Sequence, residues 1–317
     1  MAGHGIAYVE LYAKDKQRTA QYLVSALGFD CVADSVAPGR SSLLLKQGTA
    51  SLVVTSGPAT WGFLDAHGDG IADIALHCTD VTATAERALR AGAREVGSAR
   101  GNPILAGAGG MTHTLLPAGH TRPGRPGGHR WARLPQSPRR EVSAAPVARL
   151  DGVTTGVGAT NLQECVRLYE EGFGLIPRRP RRDSAPDLTP HAVELAGLQG
   201  GMTLTVVASE PHTDLRHGAS PQPTPAHRAE QRLSFGADDI ARAARELLQA
   251  GVEFHPPVPS EQPAGHRTRP HLVGTSEHLG DTLLIELAGH GGGPGALGGD
   301  DLQALCQAVG RHRLAAR

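Results

Sequence analysis

Residues 229–254, AEQRLSFGADDIARAARELLQAGVEF, carry a strand, a turn and a helix in succession. A short apolar strand leads to Asp239 at an N-cap position. Apolar residues then recur at helical spacing, and Gly251 ends the helix before another apolar run. The same order occurs in residues 72–96, ADIALHCTDVTATAERALRAGAREV, where Asp80 matches Asp239 and Gly92 matches Gly251 at a constant offset of 159. The chain therefore reads as one module written twice. Arg232 is the residue that does not fit. It heads an apolar strand, where a buried guanidinium needs a partner.

A second matching pair lies upstream of each copy. IAYVELYAKDKQRTAQYLVSALGFD (6–30) parallels VTTGVGATNLQECVRLYEEGFGLI (153–176), each a strand, a loop, a helix and a Gly turn before a further strand. SSLLLKQGTASLVVT (41–55) and HAVELAGLQGGMTLTVVAS (191–209) read as hairpins with Gly-containing turns. Each half is thus a unit of βαβββ character, and the predicted fold class is α+β, with curved mixed sheets covered by helices. The predicted divisions are a first domain over 1–118, a Pro/Gly/Arg-rich linker over 119–149, a second domain over 150–290, and a Gly-rich turn with a terminal helix over 291–317. Further Pro-rich loops are expected at 216–230 and 255–270.

Lys and Arg together number 31, as do Asp and Glu, so charge gives no reason to expect nucleic acid or an anionic membrane as partner. No stretch reaches the roughly 20 apolar residues of a membrane span, and the start of the chain lacks the pattern of a signal peptide. Cys31, Cys78, Cys165 and Cys306 are scattered without a CxxC pair, which suggests neither a disulfide framework nor a zinc site and makes a reducing cytoplasm the expected compartment.

FLDAHGDGIADIALHCTDV (63–81), IAYVELYAKD, RSSLLLKQGTASLVVT, MTHTLLP (111–117), LDGVTTGV (150–157), LYEEGFGLI, the 229–254 stretch, GDTLLIELAGH (280–290) and GGDDLQALCQAV (298–309) together span most of the chain. They resemble 4-hydroxyphenylpyruvate dioxygenases and, more closely, hydroxymandelate synthases, both of the vicinal oxygen chelate superfamily. The resemblance implies two tandem vicinal-oxygen-chelate-type domains. It also implies a non-haem Fe(II) held in the second domain by two His and one Glu, with open positions for O2 and a chelating 2-oxo acid.

The resemblance then breaks where that metal should sit. The family's first ligand is the His of a DH pair, and this chain has Asp151-Gly152. The second is the His of a QHIAF strand, and here QRLSF puts Arg232 in its place. Only Glu286, in LLIEL, keeps the third, as a remnant. Glycine offers no donor, and a guanidinium does not deprotonate to bind a cation. By register, Glu194 falls where the family has a Ser near the substrate, and His271 where it has a Gln contacting it. In the first half the repeat-equivalent positions are Tyr8, Asp73 and Thr114, a poor set for a metal. His191 and His227 are the candidates for substitute ligands.

These residues imply a diverged family member with an eroded Fe(II) site and no confident cofactor. Arg232 either neutralises Glu286 structurally or binds the carboxylate of an acidic ligand. Glu286, His271 and Glu194 are the candidate catalytic groups, His beside carboxylate being a proton-transfer device. Whether the protein is an enzyme stays open. If it is one, metal-independent lyase, isomerase or cyclase chemistry is expected, with an Fe(II) dioxygenase using substitute ligands and a non-catalytic binder or scaffold as alternatives. The expected ligand is a small aromatic or 2-oxo carboxylic acid of a specialised biosynthetic pathway. A homodimer is left open.

Overall fold

The computed structural model describes residues 5–118, 130–135, 149–178, 192–197, 202–209, 231–255, 271–275, 279 and 283–289. The terminal helix expected over 291–317, the loops at 216–230 and 256–270, and His191 and His227 lie outside the described residues.

Each half builds one mixed sheet. In the first, β1 (Gly5–Tyr12), β2 (Asp30–Ala37), β3 (Arg40–Gln47), β4 (Ala50–Ser56), β5 (Gly70–Cys78), β6 (Glu95–Ala99), β7 (Asn102–Ala106), β8 (Thr112–Pro117) and β9 (Trp131–Arg133) are ordered β6-β7-β8-β5-β1-β4-β3-β2-β9. In the second, β10 (Arg149–Gly158), β11 (Ile176–Arg178), β12 (Ala192–Ala196), β13 (Thr203–Ser209), β14 (Gln231–Ala237), β15 (Glu253–His255), β16 (His271–Thr275) and β17 (Leu283–Gly289) are ordered β11-β12-β13-β10-β14-β17-β16-β15. The helices are α1 (Lys16–Ser25), α2 (Trp61–His67), α3 (Val81–Arg90), α4 (Leu162–Arg167) and α5 (Ile240–Gln249). The expected hairpins are the antiparallel pairs β3–β4 and β12–β13.

The repeat holds down to single residues. Ile6 pairs with Leu76 and Tyr8 with Ala75 across a register shift, and Leu150 pairs with Phe235 and Gly152 with Ser234 across another. The bulge therefore falls at the same place in both copies, making Tyr8 and Gly152 equivalent. The caps match as well. The Asp80 carboxylate accepts the Ala83 N–H and the Asp239 carboxylate that of Arg242, both at 2.9 Å. Gly92 and Gly251 close α3 and α5 at φ +99° and +100°, a region an L side chain rarely enters.

Strand alternation gives each sheet a helix-covered face and an opposite face. The helix-side residues of both halves merge into one core, where Phe29 meets Phe235 edge-on at 5.9 Å. Two polar contacts fix the seam. Gln231 replaces a strand partner for Ile71, accepting its N–H at 2.6 Å and donating to its carbonyl at 3.1 Å. A Cβ on Gly70 would lie 2.5 Å from the Gln231 amide oxygen, so the missing side chain is what admits this contact.

The second seam contact is built on Tyr169. His113 Nδ1 lies 3.2 Å from the Ile74 carbonyl and so carries the proton it donates there. Nε2 is then an acceptor for the Tyr169 hydroxyl at 2.8 Å, while the hydroxyl oxygen accepts the Ala108 N–H at 2.9 Å. Tyr169→Phe leaves a buried N–H and a buried imidazole nitrogen unpaired. It should cost about 2–4 kcal/mol in chemical denaturation.

The two opposite faces differ. In the first half a small apolar cluster of Ala7, Tyr8, Ala33, Leu44, Val53 and Ala75 fills that face, with Trp131 packed on it. Trp131 comes from within the stretch read as a linker, where β9 pairs with β2. In the second half the corresponding side chains are mostly half-buried and polar.

Candidate functional site

The opposite face of the second sheet carries two cross-strand rows. Thr203, Gly152, Ser234 and Glu286 pair in turn across β13, β10, β14 and β17, and β16 adds the backbone of Val273. Glu194, Thr205, Thr154, Arg232 and Leu284 form the next row across β12, β13, β10, β14 and β17. Gly152, Arg232 and Glu286, singled out from the sequence, thus occupy adjacent strands on one face. His271 pairs with Ala288, two residues along the strand from the position opposite Glu286. Glu194 shares the Arg232 row, three strands along the sheet from it.

Ser234, which the sequence reading passed over, is a direct neighbour of Glu286. Its hydroxyl donates to Glu286 Oε2 in a part-buried hydrogen bond. Its place two residues after Arg232, on the same face of a strand, was the signal that could have found it. With Thr154, Thr203 and Thr205 it makes this face a hydroxyl-rich surface bordered by two carboxylates and one guanidinium.

Of the three positions that the resemblance assigns to iron ligands, only Glu286 carries a donor side chain, and one of its oxygens already accepts from Ser234. At Gly152 a Cβ would come within 2.6 Å of the Thr203 carbonyl oxygen and 3.2 Å of Thr203 Cβ, so β13 closes against the backbone where a ligand side chain would begin. Among the described residues no three His, Cys, Asp or Glu side chains converge.

In the first half Asp73, equivalent to Arg232, belongs to an internal polar cluster. The Arg40 guanidinium reaches both Glu10 Oε1 and the Tyr12 hydroxyl at 2.8 Å and lies 5.4 Å from the Tyr12 ring centre. The Thr55 hydroxyl donates to Glu10 at 2.6 Å, and that of Thr112 to Asp73 Oδ1 at 2.7 Å. Burial pushes the Tyr12 phenol up to about 12, with the Glu10 charge adding to it.

A separate cavity of about 450 Å³ opens on the seam between the halves, lined by His67, Gly107, Gly110, Asn161, Glu164 and Leu168 among others. It includes none of the candidate catalytic, binding or metal-ligand residues singled out from the sequence. The sheet face is the better candidate because it gathers them.

No protein-family model matches the chain. The fold matches a triple mutant of 4-hydroxymandelate synthase from Streptomyces coelicolor over 99% of this chain and 100% of that one, with TM-score 0.71 and 25% identity. Over its whole length the chain is thus similar in fold to a hydroxymandelate synthase. A xylose isomerase-like TIM barrel/4-hydroxyphenylpyruvate dioxygenase fusion protein also matches, with TM-score 0.67 over 97% of this chain and 52% of its own length. At 18% identity that second likeness speaks for the fold alone. No helix among the described residues is long and apolar enough to cross a membrane.

Proposed function

We propose that this hydroxymandelate synthase-like protein binds or transforms a small carboxylic acid, aromatic or 2-oxo, on the opposite face of its second sheet without the family's iron chemistry. The observation that carries this reading is Gly152, whose backbone backs onto the Thr203 carbonyl with no room for a Cβ. Arg232 supplies a fixed positive charge on the neighbouring row, suited to a carboxylate. Glu286, oriented by Ser234, is the group available to accept a proton from a bound ligand, and His271 stands on the adjoining strand. The unpaired cysteines Cys31, Cys78 and Cys165 fit a reducing cytoplasmic setting, and a specialised biosynthetic pathway fits the resemblance.

The test joins metal analysis with ligand binding. Purified protein incubated with Fe(II) should retain no stoichiometric iron and show no O2 uptake on 4-hydroxyphenylpyruvate. Calorimetry with 4-hydroxyphenylpyruvate and 4-hydroxymandelate should detect binding that weakens at least about tenfold in Arg232→Met, the loss of one charge-assisted contact. Stoichiometric iron with O2 consumption would overturn the reading. If Glu286→Ala abolishes turnover and spares binding, the protein is an enzyme; binding without turnover of either compound makes it a binder.

A further inference from the structure

We propose that Asp73 is a proton-holding site that makes the stability of the first domain respond to pH. Asp73 on β5 and Glu10 on β1 are direct cross-strand partners on the filled face of the first sheet, which places two carboxyl groups side by side in an apolar setting. Only 5% of Asp73 and 6% of Glu10 is exposed. One guanidinium serves the pair, and its contacts go to Glu10 and Tyr12. Two buried carboxylates against one cation leave a charge of −1 with no counterion, a costly arrangement.

The hydrogen bonds place the surplus at Asp73. Its Oδ1 accepts from Thr112, whereas Oδ2 is buried with no hydrogen-bond partner. A deprotonated carboxylate would leave that oxygen charged and unsolvated, and a proton there removes the charge. The other groups around it do not supply a cation. Tyr8 and Tyr12 on β1 are neutral phenols, held in that form first by burial and then by these same carboxylates. From β8 come the hydroxyls of Thr112 and Thr114. His77 follows four residues along β5, and Arg130 and Arg133, beside Trp131 on the covering strand, are exposed. Burial, opposed by the Thr112 hydrogen bond and by the Thr114 hydroxyl and backbone, and reinforced by the Glu10 charge, pushes the Asp73 carboxyl up to about 7 from its ordinary 3.8.

The direction of the pH effect follows. Between pH 3.8 and about 7 the folded protein holds a proton that the unfolded chain has already lost. Stability is therefore greatest below that window, falls as pH rises through it, and levels off above about 7. The fall is on the order of a thousand-fold in the folding equilibrium.

Difference infrared spectroscopy of the full-length protein across pH 5–9 should show a protonated-carboxyl C=O band that disappears with a midpoint near 7 and is missing from Asp73→Asn. Denaturation of both proteins over the same range should show the wild type losing stability toward pH 8 and the variant losing markedly less. If Asp73→Asn fails to fold, carboxyl-carbon NMR of the wild type gives the Asp73 titration directly. A midpoint below pH 5, or an unchanged pH slope in the variant, overturns the proposal. So does stabilisation at pH 8 by added Na+, K+ or Mg2+ that needs Asp73, since a metal cation would then be the counterion.

Discussion

Arg40→Met should destabilise the protein by about 2–4 kcal/mol near pH 8, measured by chemical denaturation. Breaking a buried ion pair by removing one partner costs about 3–5 kcal/mol, and the lower range allows for the exposed quarter of the Arg40 side chain, 28% against 8% for Glu10. The substitution keeps a long apolar stem, so the loss comes chiefly from charge. Glu10 keeps only the Thr55 hydroxyl at Oε1, the Tyr12 hydroxyl loses its donor, and Asp73 faces a second carboxylate with no nearby cation. The guanidinium itself is held charged against burial, which alone would lower its affinity for the proton, by Glu10 and then Tyr12. The deficit should shrink at pH 4–5, where carboxyl groups begin to take up protons. A variant as stable as the wild type at pH 8 would mean that this cluster is not held by its one cation.

Histidine placed at positions 152 and 232 should not create an iron site. Gly152→His, alone or with Arg232→His, should lower stability by about 1–3 kcal/mol, the usual cost of forcing atoms into a filled space. Its Cβ would have to displace the Thr203 carbonyl from 2.6 Å, and that carbonyl belongs to the backbone of the parallel partner strand. The double variant should take up no stoichiometric Fe(II) by metal analysis, because Glu286 is still engaged by Ser234. Adding Ser234→Ala frees that oxygen and is the combination in which any iron uptake should first appear. A stable Gly152→His/Arg232→His protein with one tightly bound iron would show that the site was only two side chains from function.

Much of the fold was legible because it is local and repeated. Asp80 and Asp239 announce helix starts through a cap that spans three residues, and Gly92 and Gly251 announce helix ends through a backbone region that other residues avoid. The constant offset between them identifies the module without long-range information. The candidate site was legible only as a set of positions. Gly152, Arg232 and Glu286 could be picked out by what they lack or carry, whereas the strand order that sets Glu194 in the Arg232 row is not written in either segment.

By itself, then, the sequence determined the α+β class, the duplication, the caps and the residue types at positions 152 and 232, all properties of residue type and short-range spacing. Only the tertiary structure decided which partners those residues have. Ser234 on Glu286, Gln231 on the Ile71 peptide and Tyr169 between His113 and Ala108 join strands or halves far apart in the chain. The filling of one sheet face beneath Trp131 was equally hidden, because β9 comes from a Pro- and Gly-rich stretch with no periodicity of its own. Burial and hydrogen-bond partnership are set by strand order, which no single segment encodes, and they explain why equivalent faces of two copies became a packed acid cluster in one half and a polar, half-buried site in the other.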